Sequence, residues 1–166
     1  MLDRQYIEEK IEIDIICEFL RQKGFDEITP TQEINKYDRF DIYAKKDGYD
    51  YVIETKARSF PHNKYCDILV DKLKLDGYLR RREKNNKLRG LVFNIYNDNT
   101  LACNTITDYF KAAEFMGPKT TSFENNEYVK KIGLLYKQKC LYNFEYDKEN
   151  DEYKFLEVKK WIKIKL

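Results

Sequence analysis

Residues 37–56 read YDRFDIYAKKDGYDYVIETK and set the architecture of the first half of the chain. Alternating β-branched and aromatic residues stand on both sides of an Asp47-Gly48 pair. This combination is typical of two antiparallel strands joined by a tight turn. We therefore predict a β-hairpin, with its turn at residues 45–48.

Three charged side chains stand on this hairpin. Asp41 falls on the first strand, whereas Glu54 and Lys56 fall two positions apart on the second and therefore point to the same face. Charged groups placed beyond an apolar run are costly to bury without partners. Two carboxylates that converge across a hairpin suit a hard divalent cation, and an adjacent lysine can orient a water molecule. The hairpin therefore predicts metal-assisted hydrolysis of a phosphodiester, with Asp41 and Glu54 as ligands of Mg²⁺ or Mn²⁺.

The order of Asp41, Glu54 and Lys56 resembles the PD-(D/E)XK nuclease superfamily, over roughly residues 5–95. The specific part of the resemblance is the sequence of elements: acidic helix, strand, Asp strand, Glu-x-Lys strand, helix, strand. Phe40-Asp41 stands where the family has Pro-Asp. The resemblance implies an α/β fold of the restriction-endonuclease type, in which helices flank a mixed central sheet. It also implies that Asp41, Glu54 and Lys56 are catalytic.

A helix is predicted over residues 4–23, ended by Gly24. Glu12 lies near the centre of its apolar arc and Glu8 one turn earlier. A carboxylate there either reaches solvent at the helix edge, pairs with a buried Arg or Lys, or belongs to the site. Given the hairpin carboxylates downstream, we predict Glu12 as the catalytic carboxylate of the helix, with Glu8 as the alternative. The apolar residues that define the arc are Ile7, Ile11, Ile15 and Phe19, with Ile16 and Leu20 beside them.

Basic residues follow the hairpin. Arg58 shares the face of Lys56 at the end of the strand, and Lys74 falls on a helix predicted over residues 72–83. The resemblance implies a basic group on that helix, facing the scissile phosphate, so we predict Arg58 and Lys74 as nucleic-acid-binding residues. A further basic run has two possible explanations, a capped and solvated helix end or a contact with phosphate, and the sequence leaves the choice open. The run comprises Arg80, Arg81, Arg82, Lys84, Lys87 and Arg89.

Cysteine and histidine usage argues against a zinc centre. The four cysteines are widely spread, no Cys-x-x-Cys pair occurs, and His62 is the only histidine. A disulfide framework is therefore not expected. We expect reduced thiols in a cytoplasmic protein instead. We interpret His62 as a residue of the polar loop 57–65.

Length and composition set broad limits. A chain of 166 residues predicts one domain, with a core at about 4–105 and a β-rich extension at about 106–166. A net charge of only +2 means that nucleic acid must be bound by local patches. No apolar run is long enough for a transmembrane helix, so no membrane partner is expected. Residues 1–4 lack the apolar core of a signal peptide, which favours a cytoplasmic protein.

The remaining elements are predicted from periodicity and turn residues. Whether the last strands extend the central sheet or form a second one is left open by the sequence. The predictions are strands at 25–34 (interrupted by Pro30), 88–96, 100–105, 128–136, 141–146 and 153–164, a short helix at 108–115, and a turn at 147–151.

These features together predict a metal-dependent nuclease that acts on DNA, as a small phage- or prophage-type member of the family it resembles. A homodimer is expected because a duplex needs two cuts. The alternative is a catalytically silent module on the same fold that binds nucleic acid or a protein. RNA as the substrate, the choice between endonuclease and exonuclease action, and the substrate structure stay open.

Overall fold

The fold is seen in a computed structural model, which describes residues 4–33, 40–65, 67–106, 114–118, 128–135 and 141–158. The helices are α1 (Arg4–Gln22) and α2 (Lys72–Lys84), and a 3-10 turn spans Thr31–Glu33. The strands in the described ranges are β1 (Asp26–Pro30), β2 (Ile42–Lys46), β3 (Tyr49–Ala57), β4 (Asp67–Asp71), β5 (Leu88–Ile95), β6 (Thr100–Ile106), β7 (Glu114–Pro118), β8 (Tyr128–Leu135), β9 (Leu141–Asp147) and β10 (Glu152–Glu157).

Seven of these strands form one mixed sheet in the order β1-β2-β3-β5-β6-β9-β10. The β3–β5 pair is parallel, and the other neighbouring strands are antiparallel. A second sheet has the order β4-β8-β7. The predicted fold class, a mixed central sheet flanked by helices, is confirmed. The strands of the tail take part in both sheets. Strands β9 and β10 extend the central sheet, and β7 and β8 form the second sheet with β4.

The predicted hairpin is confirmed as β2 and β3. Lys46 pairs with Tyr49, so the connection is a two-residue turn. Its residues Asp47 and Gly48 have φ values of 52° and 80°. Positive φ at both positions is the type I′ geometry, whose twist matches that of the strands. A turn of this type fixes the register of the whole hairpin, and with it the residues that face each other at the far end.

Helix α1 covers one face of the central sheet, where Ile16 and Leu20 are fully buried against Ile53 and Phe93. The predicted stripe is wrong at Ile11, whose side chain is 48% exposed. The buried arc turns instead toward Ile13 and Cys17, both 5% exposed. Periodicity located the helix but misplaced the edge of its buried face, because the position of the sheet decides which arc of the helix is covered.

Helix α2 covers the opposite face, where the fully buried Tyr78 packs in a cluster with Val52, Val92 and Ile106. The approach between helix and sheet depends on Gly90 of β5. A Cβ atom at that position would lie 2.8 Å from Ile106 Cδ1 and 3.0 Å from Tyr78 Cε2. Both neighbours are buried, so neither has free space into which it can move.

We therefore expect Gly90→Ala to lower the free energy of unfolding by about 1–3 kcal/mol, the usual range for overpacking a core. Urea denaturation followed by circular dichroism measures this change. A Gly90→Ala/Ile106→Val double variant serves as the control, since it removes the closest methyl group and should recover part of the loss. Wild-type stability of the single variant would show that the helix does not approach the sheet this closely.

The edge strand β10 is attached to α1 by two side chains. Glu18 Oε1 accepts a hydrogen bond from the backbone N–H of Tyr153 at 2.7 Å. Gln22 Nε2 donates one to the carbonyl of the same residue at 2.8 Å. The outer backbone groups of Tyr153 are thus satisfied by the helix instead of being left open at the sheet edge.

The short helix predicted over 108–115 is wrong where the structure describes it. Glu114 and Phe115 belong to β7, in which Phe115 pairs with Lys131 of β8. Cross-strand hydrogen bonds override a weak local helix preference here. Residues 107–113 lie outside the described part, as do residues 159–164 of the last predicted strand. Neither described helix has the length and apolar content needed to cross a membrane.

Candidate active site

Five of the predicted site residues meet in one cavity. Its volume is about 270 Å³. It is lined by Glu12 of α1, Asp41, the β3 residues Glu54 and Lys56, and Lys74 of α2, together with Ile13, Gln32, Thr55 and Ala57. Residues that are separated by up to 62 positions in the sequence thus face the same space. The side chain of Glu8, the alternative to Glu12, is not among the described residues.

The cavity lies at the open end of the hairpin, where β3 extends beyond the first residue of β2. Strand β2 begins at Ile42, whereas β3 continues to Ala57. Asp41 stands just before β2, and its N–H donates to the carbonyl of Ile53 at 2.9 Å. The carbonyl of Asp41 accepts a hydrogen bond from the N–H of Thr31 at 2.9 Å. Both backbone polar groups of Asp41 are therefore hydrogen-bonded, and they hold the residue beside the end of β3.

Glu54 is the most buried charged group of the cavity, with a side chain only 5% exposed. Its Oε1 lies 3.8 Å from Lys56 Nζ, and its Oε2 lies 3.0 Å from Lys74 Nζ. The second contact is a close ion pair, and Oε2 has no other polar partner among the described residues. An oxygen in that state has a lone pair available for another ligand.

Burial raises the pKa of Glu54, and the nearby charge of Asp41 raises it further. The ammonium groups of Lys74 and Lys56 act in the opposite direction, and the resulting pKa is about 7. A simple ion pair on an exposed strand would lower the pKa of its carboxylate instead. The cavity is therefore a place where added positive charge stabilises the ionised form of Glu54.

Asp41 is oriented by Thr55, a residue that sequence reasoning missed. Asp41 Oδ2 accepts hydrogen bonds from the backbone N–H of Thr55 at 2.8 Å and from its hydroxyl at 3.1 Å. Both bonds go to one oxygen and leave Oδ1 for other partners. The type I′ turn was the available signal, because it fixes the register that brings Thr55 beside Asp41.

The donor set of the cavity fits a magnesium-type ion. Within the described residues, no group of three or more His, Cys, Asp and Glu side chains could enclose a metal. Mg²⁺ does not require such a cage, because it usually keeps several waters and takes one or two carboxylates. Asp41 and Glu54 supply that number, and the buried Oε2 of Glu54 is a suitable ligand atom. Oxygen donors of this kind also suit Mn²⁺.

Arg58 does not line this cavity. Its Nε donates to Oδ1 of Asn94 at 2.8 Å, and Asn94 is fully buried on β5. Asn94 is the register partner of Lys56 in the parallel β3–β5 pair. The guanidinium is therefore held against the end of the sheet. Its role in binding nucleic acid stays a prediction.

His62 ties the loop after β3 to the turn between β5 and β6. Its Nδ1 lies 2.6 Å from Oδ2 of Asp98, and Thr100 donates to Oδ1 of the same carboxylate at 2.6 Å. Burial raises the pKa of Asp98, but the hydrogen bonds from Thr100 and His62 outweigh it and leave this pKa below its ordinary value. These contacts give His62 a part in anchoring the loop.

A larger cavity of about 720 Å³ lies beside the end of α2, against β1, β2 and β3. Its lining is mostly apolar and includes Tyr43, Val52 and Leu88. Glu27, Lys45, Asp50 and Arg81 also line it. The smaller cavity holds the paired carboxylates and lysines, which is the chemistry that a hydrolytic site needs.

Comparison with known proteins gives a likeness to solved structures. No protein-family model and no curated protein matches the chain. Among solved structures, it is similar to Hjc, a Holliday junction resolvase from Archaeoglobus fulgidus, with a TM-score of 0.44 and 12% sequence identity. The similarity covers 73% of this chain and 83% of the resolvase. The chemistry of the candidate site follows from the residues of this chain alone.

Proposed function

We propose that this protein is a metal-dependent nuclease that hydrolyses phosphodiester bonds in DNA. The observation that carries the proposal is the cavity in which Asp41 and Lys56 meet the buried carboxylate of Glu54, whose partners among the described residues are the ammonium groups of Lys56 and Lys74. Phosphodiester hydrolysis needs an activated water and stabilisation of the charge that develops on the phosphate. The cavity supplies carboxylates for a cation and ammonium groups for the phosphate.

Each residue has a distinct part in this proposal. Asp41 and Glu54 hold Mg²⁺ or Mn²⁺, which when bound supplies Lewis acidity and lowers the pKa of a water. The Lys56 side chain is 41% exposed, so its ammonium reaches both Glu54 and the solvent side of the cavity. It orients the attacking water or stabilises the charge on the phosphate. Glu12, which is partly exposed, accepts a proton or positions a water.

Lys74 acts on the carboxylate as well as on the phosphate. Its ammonium lies 3.0 Å from Glu54 Oε2 and is 23% exposed. In the absence of a cation, Lys74 partly neutralises Glu54. A cation held by Asp41 and Glu54 would supply that positive charge, and the ammonium of Lys74 would then contact the scissile phosphate.

Thr55 is proposed as a positioning residue for Asp41. A Thr55→Val variant keeps the backbone hydrogen bond to Asp41 and loses only the one from the hydroxyl. We expect metal affinity to fall by about 10–100-fold, the usual effect of removing an outer partner of a metal ligand. Titration of Mn²⁺ by calorimetry measures the change. Thr105→Val is the matched control, an exposed strand residue on β6, and an equal effect in both variants would remove this role from Thr55.

A homodimer is part of the proposal, because hydrolysis of both strands of a duplex requires two sites. Analytical ultracentrifugation of the free protein and of its complex with a duplex tests it. A monomer in both conditions would contradict the dimer and leave the chemistry of the site unaffected.

The experiment that tests the function is a cleavage panel of linear, circular, single-stranded and branched DNA with Mg²⁺, Mn²⁺ or EDTA. We expect the wild type to cleave at least one of these substrates only when metal is present. Asp41→Ala and Lys56→Ala should be inactive, and the substrate that is cut identifies the subclass of nuclease.

Two exposed residues provide matched controls for this panel. Asp14→Ala on α1 and Lys148→Ala in the β9–β10 turn remove the same kinds of charge away from the cavity, and both should cleave like the wild type. No cleavage by the wild type, together with binding of DNA or protein that survives both site substitutions, would support a binding module instead.

A further inference from the structure

Helix α2 carries a strip of basic residues that starts in the candidate active site. Lys74, Arg81 and Lys84 follow one another at seven and three positions, and Arg80 lies beside them, so all four fall on one side of the helix. Gly77 lies between them and has no side chain, which leaves the helix surface recessed there. A cavity of about 280 Å³ is lined by Gly77, Arg80, Arg81 and Lys84.

The strip is joined to the site by a buried aromatic ring. Lys74 Nζ lies 5.8 Å and Arg81 Cζ 5.3 Å from the ring centroid of Phe40, and both contacts are in the cation–π range. Phe40 is fully buried and directly precedes Asp41. The cations of Lys74 and Arg81 are thus fixed on the same ring, one of them 3.0 Å from Glu54.

The outer part of the strip is open to a ligand. Arg80 and Lys84 are exposed, and neither has an ion-pair partner in the part of the chain that the structure describes. Asp76 and Glu83 stand four positions before and three positions after Arg80, at spacings that allow ion pairs on a helix, but neither pairs with Arg80 in the described structure. Positive charge therefore accumulates along one line from the cavity to the end of α2.

Other members of the basic run are engaged elsewhere. Arg82 Nη1 donates to the hydroxyl of Tyr78 at 3.4 Å. Arg89 lies over the ring of Tyr49 at 4.4 Å and donates to the carbonyl of Leu88 at 2.9 Å. Arg81 of the strip likewise donates to the hydroxyl of Tyr43 at 3.2 Å. The run that the sequence left undecided between a solvated helix end and a phosphate contact therefore contains residues held by neighbouring groups and the exposed pair Arg80 and Lys84.

We propose that this strip, formed by Lys74, Arg80, Arg81 and Lys84, is the track for the phosphate backbone of duplex DNA whose scissile phosphate lies at Asp41 and Glu54. This inference rests on the proposed function and adds the direction in which the bound DNA extends away from the site. Ten residues of helix span about 15 Å from Lys74 to Lys84. At about 3.4 Å per nucleotide along one strand, that length corresponds to about four nucleotides.

The test compares two double variants that lose the same charges. Arg80→Gln/Lys84→Gln removes the outer part of the track, and Arg21→Gln/Lys148→Gln removes one exposed arginine and one exposed lysine elsewhere. Affinity for a labelled 20-base-pair duplex is measured by fluorescence anisotropy at several salt concentrations in EDTA, which prevents cleavage. Cleavage by the wild type in Mg²⁺ and Mn²⁺ is measured separately.

Loss of two phosphate contacts should reduce the slope of log affinity against log salt by about 1.8 and lower affinity at 0.1 M salt by about 60-fold. The single variant Lys84→Gln should lose about half of that slope, and the Arg21/Lys148 control should keep the wild-type slope. An unchanged Arg80/Lys84 variant, or an equal loss in both double variants, would overturn the track while wild-type cleavage upholds the proposed function. A wild type that neither binds nor cleaves DNA would overturn both.

Discussion

At pH 8 without metal, a Glu54→Gln variant should unfold at a higher temperature than the wild type and should cleave no DNA when metal is added. The pKa of Glu54 is raised from its ordinary 4.5 to about 7 in the folded protein, first by burial and then by Asp41. Above pH 7 the folded protein therefore holds an ionised carboxylate in a place that disfavours it. Glutamine has the shape of the protonated acid and carries no such cost.

The sign of the pH dependence follows from proton uptake. Below pH 4.5 the carboxyl group is protonated in both the folded and the unfolded chain, and its full contribution to stability is present. Between pH 4.5 and 7 the unfolded chain releases the proton first, so stability falls as the pH rises. A shift of this size corresponds to about 3 kcal/mol, or roughly 6–12 °C in melting temperature for a chain of this length.

Melting curves at pH 4.5, 6 and 8 measure this effect. The variant should lose the part of the pH dependence that Glu54 causes, and it should be the more stable protein only at the higher pH values. Glu145→Gln, at an exposed position on β9, is the matched control and should follow the wild type at each pH. A Glu54→Gln variant that is less stable than the wild type at pH 8 would mean that Glu54 is a stabilising ion-pair partner.

The second large effect is expected from Lys56→Gln, which should reduce the cleavage rate by about 10²–10³-fold and leave metal binding intact. Removal of one group that stabilises charge in a transition state has this magnitude. Lys56 contacts Glu54 at 3.8 Å but supplies no oxygen to a cation. The rise in melting temperature that Mg²⁺ causes should therefore persist in the variant, since it depends on binding to the folded state.

Single-turnover kinetics and melting with and without Mg²⁺ separate these two functions of the site. Lys148→Gln, an exposed lysine in the β9–β10 turn, controls for loss of one positive charge. If the Lys56 variant cleaves at the wild-type rate, the lysine only pairs with Glu54. If it loses both cleavage and the response to metal, its part is to keep Glu54 ionised rather than to act on the phosphate.

The hairpin could be predicted from the sequence because its determinants are local. Asp47 and Gly48 adopt the positive φ values that the turn requires, and the register follows from the turn. The convergence of Asp41 with Glu54 and Lys56 is a consequence of that register and of the two-residue period of a strand. Helices α1 and α2 were found for the same reason, since their periodicity extends over several turns.

Features that depend on distant parts of the chain were not predictable in this way. Ile11 is exposed because the sheet, and not the helix, decides which arc is covered. Phe115 is in a strand because β8 pairs with it. Arg58 follows the end of β3, and it donates a hydrogen bond to the buried amide of Asn94, 36 positions away. No local pattern specifies partners at such separations.

The basic run on α2 shows the same limit. Charge and spacing located it, but the contacts of its members differ: Arg81 lies over the ring of Phe40 and donates to the hydroxyl of Tyr43, whereas Arg89 lies over the ring of Tyr49 and donates to backbone carbonyls. Those contacts depend on how α2 and β5 pack against the hairpin. The different surroundings of these arginines are therefore visible only in three dimensions.

Cleavage of a supercoiled plasmid at pH 8 tests the proposed metal-dependent nuclease site most directly. The wild type and Asp41→Asn are compared, each with Mg²⁺, Mn²⁺ or EDTA. We expect nicked or linear product from the wild type with metal, and none with EDTA or from the variant. Equal cleavage by the two proteins, or cleavage by the wild type in EDTA, would contradict the assignment of the cavity as a metal-dependent nuclease site.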